Sequence, residues 1–215
     1  MRIIQAVVDS YPRGFWRDLY DRISGAYADL FLEVKNDART LDLQRMAQLQ
    51  QIRPFRIDFE MTKVAETHGI SCSINEVPNN RWRHAYAVAG SLGITQSYVQ
   101  AYGEFPPPAR FREGLSEASR LPTLAFDNDG EFNDSYEFYG LVTHTPIGRR
   151  FDERSCMLGS AQLCVPHPGM EEWAAIVGLP ELVAQYPSEQ VVEKVSSKGP
   201  RFKTQQPTRQ RGTGT

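Results

Sequence analysis

The chain has little cysteine: Cys72, Cys156 and Cys164 are the only three in 215 residues. Three thiols cannot make the paired framework that staples small secreted domains, so a reducing compartment and free or buried thiols are expected. Long apolar runs are lacking as well. No stretch approaches the ~20 residues that a membrane-spanning helix needs. The opening Met1-Arg-Ile-Ile-Gln-Ala-Val-Val-Asp9 is too short in apolar residues for a secretory signal. A strong charge of one sign is missing too, the formal net charge being −2. A polybasic body working on nucleic acid or a membrane surface is therefore not expected. The expected location is a soluble cytoplasmic or organellar (mitochondrial) compartment, and not the secretory route.

What is present is ordinary globular material, with 40% hydrophobic and 23% charged residues. A chain of this length can bury a core in one or two domains. Residues 1–67 read as an α/β segment: strands at 2–8, 28–34 and 53–60, and helices at 14–26 and 40–51. Phe15, Leu19 and Ile23 supply the four-residue spacing of the first helix. Glu33-Val-Lys35 on such a strand has the Glu-x-Lys pattern of metal-dependent nucleases. Asp58-Phe-Glu60 has the look of exonuclease carboxylates. Neither has its companion aspartates at a useful spacing, and solvated charges are expected in both places.

Residues 68–145 read as strand 70–74, helix 81–92, strand 94–102, helix 111–119, and then a strand at 123–126. The helix over 81–92 rests on Ala85, Val88, Ala89 and Leu92, with Gly93 ending it. Leu121-Pro122 opens the last strand, because proline lacks the ladder N–H and fits a strand start. Asp129-Gly130 is a hairpin-turn pair, and Asp134 or Ser135 supplies a helix N-cap oxygen. The hairpin reading also accounts for Asp127-Asn-Asp129 better than a metal-binding Asp-x-Asp does. The four histidines, His68, His84, His144 and His167, have no metal-site spacing. A loop is expected at 144–148, helices at 170–177, 180–186 and 189–196, and a flexible tail at 197–215. That tail carries five basic residues and no acidic one.

The run Arg120-Leu-Pro-Thr-Leu-Ala-Phe-Asp-Asn-Asp-Gly-Glu-Phe-Asn-Asp-Ser135 resembles the glutathione-binding segment of glutathione S-transferases. Asn80-Arg-Trp-Arg-His-Ala-Tyr-Ala-Val-Ala-Gly-Ser-Leu-Gly-Ile94 is similar to that family's first helix. The resemblance implies a thioredoxin-like domain over 68–145 with a reduced helical region at 146–196. It further implies glutathione held by Leu121, a cis-Pro122, Asp134 and Ser135. The family's activating hydroxyl has no tyrosine here; its position falls near Asn75, with Ser73 the nearest hydroxyl. Two roles stay open. One is a non-catalytic accessory subunit in a larger assembly or homo-oligomer. The other is an active glutathione-dependent transferase or reductase, with glutathione its only implied cofactor. Nucleic acid is not an expected partner.

Overall fold

The apolar spacing of Phe15, Leu19 and Ile23 does not stop at Ala26. It runs on through Tyr27, Leu30, Phe31 and Val34, and one helix carries the whole stripe. In the computed structural model, which describes residues 2–76, 83–119 and 138–187, this helix is α2 (Arg13–Asn36). It follows α1 (Arg2–Ser10) after a break at Pro12, whose missing N–H cannot continue a helix. The strands expected at 2–8 and 28–34 are therefore helix. A strand would turn Leu30 and Phe31 to opposite sides, whereas both are buried. Glu33 and Lys35 consequently lie on a helix surface and not on a strand.

A 3₁₀ turn at Asp42–Gln44 leads into α3 (Arg45–Thr67), which passes through the strand expected at 53–60. Leu49, Arg53, Ile57, Met61, Val64 and Ala65 share its buried side at helical spacing. That period overrides the local alternation around Phe55. The described part of 1–67 is thus helical rather than α/β.

Six strands follow in sequence order across one sheet: β1 (Ser71–Glu76), β2 (Arg83–Ala89), β3 (Leu92–Tyr98), β4 (Phe138–Pro146), β5 (Leu158–Pro166) and β6 (Trp173–Gly178). Among the described residues only β3 and β4 are parallel, from Leu92↔Phe138 to Tyr98↔His144; their connection contains α4 (Arg110–Glu117). The other neighbours are antiparallel. Short helices α5 (Glu153–Cys156) and α6 (Leu179–Gln185) complete the described residues.

The mixed α/β class expected from the sequence is present, and so are the strand at 70–74 and the helices at 111–119 and 180–186, within a residue or two. The helix expected over 81–92 is strand β2 with its turn. Ala85 and Ala87 bury one face of it, while His84 and Tyr86 take the other. Packing on the sheet has overridden alanine's helix preference. Gly90, at φ 53°, makes the turn into β3, which begins two residues before the strand expected over 94–102 and ends at Tyr98. The strand–helix–strand order expected over 70–102 is thus three successive antiparallel strands. Likewise the loop expected at 144–148 begins inside β4, and the helix expected at 170–177 is β6, paired with β5. Among the described residues of 146–196, the region expected to be helical holds β5 and β6 and only the short helices α5 and α6. Leu121, Pro122, Asp129-Gly130, Asp134 and Ser135, the helix at 189–196 and the basic tail lie outside the described residues.

Among the described residues the larger hydrophobic cluster runs from Val7 to Leu182, and a smaller one joins Leu30, Phe31, Val34, Leu49 and Cys156. The larger places Phe15, Leu19 and Ile23 of α2, with Ile57, Met61 and Val64 of α3, against Ala85, Ala87, Ile94, Val142 and Leu163 of the sheet. The opposite face receives α4: the Phe111 ring stacks on His84 at 4.1 Å between centroids. No described helix is long and apolar enough to cross a membrane.

Candidate functional site

The densest group of polar side chains with displaced pKa values lies between the helical layer and the sheet. It forms where β2 parts from β3. Their ladder holds only three pairs, Ala87↔Ile94 to Ala89↔Leu92. Continued beyond Ala87, the register would set Tyr86 opposite Thr95 and then Ala85 opposite Gln96. Instead the Asp58 carboxylate of α3 takes that place. Its Oδ1 accepts from Gln96 Nε2 at 2.9 Å, and the nearby Ala85 backbone N–H helps to favour its charged form. Gln96 Nε2 donates a second bond, to the Pro54 carbonyl at 3.1 Å.

The chain continues across to β4. Gln96 Oε1 stands 2.9 Å from His144 Nε2, and His144 Nδ1 stands 2.7 Å from the Tyr27 hydroxyl of α2. Because the Gln96 amide nitrogen serves Asp58 and Pro54, its oxygen must accept. His144 Nε2 therefore carries the proton, and Nδ1 accepts from Tyr27. A run of donors points one way, from Tyr27 through the imidazole and the amide toward Asp58.

Burial sets the electrostatics. His144 is fully buried, and desolvation with the nearby Arg53 charge pushes its imidazole down to about 3, so it is neutral at pH 7. Asp58 is 6% exposed, and burial raises its carboxyl to about 6, against the opposing pull of Gln96 and the Ala85 N–H. Desolvation also raises the Tyr27 hydroxyl. Arg53 is 1% exposed, its guanidinium lying 4.3 Å from the Tyr27 ring centre and 5.6 Å from that of Tyr98. Among the described residues its Nε and Nη2 have no hydrogen-bond partner. Two π faces offset only part of the desolvation of a buried cation, on the order of 2 kcal/mol against several. Arg53→Met, which keeps the length and removes the charge, should therefore stabilise the fold by about 1–3 kcal/mol. A urea midpoint measures this, and a loss above about 1 kcal/mol would mean that Arg53 has a partner in solution.

Ser73 and Asn75 lie far from this chain in character. Both are exposed on β1, an edge strand of the sheet, and Ser73 Oγ donates to Asn75 Oδ1 at 3.0 Å. They pair with Tyr86 and His84 of β2, so their side chains share the α4 face. His84 Nδ1 and Arg112 Nε are buried there without partners, and Arg112 Nη1 reaches Ser97 Oγ at 3.4 Å. The thiols are held in their protonated form. Desolvation is the largest effect at Cys72 and Cys156, both raised, and pushes Cys164 up to about 11. Among the described residues no group of three or more His, Cys, Asp or Glu side chains gathers as a metal site would.

Sequence reading missed the chain for two reasons. Asp58 was expected to be a solvated charge and His144 part of a loop, yet both are buried. The β-branched residues around His144 in Leu141-Val-Thr-His-Thr145 are the local signal that could have placed it on a strand. Nothing local marks Gln96 or Arg53. The chain matches no protein-family model, no curated protein and no solved structure.

Proposed function

We propose that the protein is a non-catalytic accessory subunit that docks a protein partner through its helical layer. The observation that carries this reading is the exposure of Phe55 (52%) and Phe59 (55%), one turn apart on the outer side of α3. The same layer adds Leu32 of α2 and, in the turn before α3, Leu41 and Leu43. The chemistry of the interior supports a role without catalysis. The buried imidazole and thiols are shifted away from the ionisation states that a base or nucleophile needs near neutral pH. Ser73 and Asn75 hydrogen-bond each other on an exposed edge.

The test is a pair of serine substitutions, Phe55→Ser with Phe59→Ser. Exposed positions should leave the urea midpoint within about 0.5 kcal/mol of the parent. Light scattering and partner capture should show the association lost. A parent chain that is monomeric at every concentration and captures no partner would sink the reading. Titration with glutathione addresses the transferase-like role. Heat released by the parent but not by Ser135→Ala would favour a glutathione-dependent enzyme, and no heat at millimolar ligand would retire it.

A further inference from the structure

We propose that the first turn of α4, with Arg112 and His84 beside it, is a binding site for the carboxylate of a small organic acid. The inference rests on a buried cation, an orphaned imidazole, an uncapped helix end and a pocket, all on the α4 face of the sheet.

The cation touches only neutral oxygens. Arg112 is 9% exposed. Its Nη1 reaches Ser97 Oγ at 3.4 Å, and its Nη2 donates to the Pro107 carbonyl. Glu113 and Tyr139 lie near enough to favour its charge, yet among the described residues neither bonds it. Its Nε is buried without a partner. A guanidinium taken out of water needs a counter-ion to recover what it has lost.

The imidazole stands in the same row of the sheet. His84 is 7% exposed, and its Nδ1 is buried without a partner among the described residues. Continued from Ala87↔Ile94, the β2–β3 register sets His84 opposite Ser97, the residue that Arg112 reaches. Burial, with the Arg112 charge, lowers this imidazole, so it is neutral at pH 7. Phe111, the second residue of α4, stacks its ring on His84 at 4.1 Å and so fixes the imidazole against the first turn. That turn starts at Ala109, which has no side-chain oxygen to cap it. The Ala109 carbonyl accepts from Arg112 and Glu113, and the N–H groups of Arg110 and Phe111 come before these bonds, at the positive end of the helix.

These groups are donors around one positive charge. A carboxylate answers with two acceptor oxygens and one negative charge, whereas a phosphate dianion leaves one charge buried without a partner. Room for a short acid lies alongside α4, in a pocket of about 170 Å³ lined by Tyr86, Gly93, Leu115, Ser119 and Tyr139. Tyr139 joins the two parts, since it walls the pocket and acts on Arg112.

NMR of arginine Nε–H groups tests the site, with Arg112 assigned by the signal that Arg112→Lys removes. Sodium acetate is titrated at constant ionic strength against a sodium chloride reference. The Arg112 signal should shift along a saturating curve in acetate and stay in place in chloride. Inorganic phosphate at about pH 8, mostly a dianion, should bind at least about tenfold more weakly. His84→Phe keeps the stack on Phe111 and loses the nitrogen, so acetate affinity should fall about tenfold. Arg112→Gln should abolish the effect of acetate on the His84 signals. No saturable shift at tenth-molar acetate, or an equal shift in chloride, overturns the proposal. Phosphate binding as tight as acetate overturns the carboxylate assignment. If Arg112→Gln does not fold, the parent titration and His84→Phe decide it, and unchanged acetate affinity in His84→Phe counts against the site.

Discussion

Asp58→Asn and His144→Gln should tilt the pH dependence of stability in opposite directions. Burial raises Asp58 to about 6 from its ordinary 3.8, so the native state holds a proton that the unfolded chain has released. Stability from this group is full below its unfolded value and is lost as pH rises through the folded one, by about 3 kcal/mol for the shift from 3.8 to about 6. His144 works the other way. Its folded value, about 3, lies below the ordinary 6.5, so stability is full above the unfolded value and is lost on acidification, by about 5 kcal/mol. Between about pH 4 and 6 the native state holds one extra proton at Asp58 and one fewer at His144, and the two slopes cancel. Removing either end exposes the other. Relative to the parent, Asp58→Asn should gain about 3 kcal/mol between pH 4 and 7, and His144→Gln about 5 kcal/mol between pH 7 and 3. Urea unfolding at a series of pH values, read as variant minus parent, removes the contribution of surface carboxylates such as Asp37. Parallel curves for parent and both variants would refute the compensation.

The same two residues show how far sequence carries. Periodicity was legible where one helical face is long and apolar: Phe15, Leu19 and Ile23 identify α2, although the stripe extends to Val34. It misled where alanine fills a sheet. Ala85, Val88, Ala89 and Leu92 fit a helical face, yet Ala85 and Ala87 lie flat on the core beneath α2 and α3. The small side chains suit the close approach of α3 to β2, which a propensity scale does not contain. The candidate site was less legible still. Asp58 meets Gln96 where the β2–β3 ladder has ended after three pairs. That condition depends on register, and no spacing along the chain encodes it. Arg53 sits at the helical position of a core residue, four residues before Ile57, where sequence logic expects an apolar side chain.

The buried polar chain and the exposed aromatic side chains belong to one helix. Phe55 and Phe59 project outward from α3, while Arg53 and Asp58 project inward from the same turns. Pro54 lies between the two sets and gives its carbonyl to Gln96.

Trp16→Ala should be among the most damaging single substitutions in the chain. Trp16 is fully buried, with its ring 5.0 Å from those of both Tyr11 and Phe15. Removing an indole from such a site costs about 3–5 kcal/mol through lost burial and the cavity left behind. The polar end matters as well. Trp16 Nε1 donates to the Tyr186 hydroxyl at 2.9 Å, and that hydroxyl donates to the Tyr11 carbonyl at 2.5 Å. The Tyr11 hydroxyl in turn donates to the Ala87 carbonyl of β2 at 2.9 Å. These bonds join the α1–α2 break to the residue after α6 and to the sheet. Trp16→Phe keeps most of the ring burial and loses only the donor, so about 1–2 kcal/mol is expected. For a domain with total stability of ~5–15 kcal/mol, the alanine variant spends a large part of the margin. Hydrogen exchange locates the effect: amides of α6 near Leu182 should lose protection first, because their anchor to α2 has gone. An alanine variant within about 1 kcal/mol of the parent, with α6 still protected, would show that Trp16 does not hold these elements together.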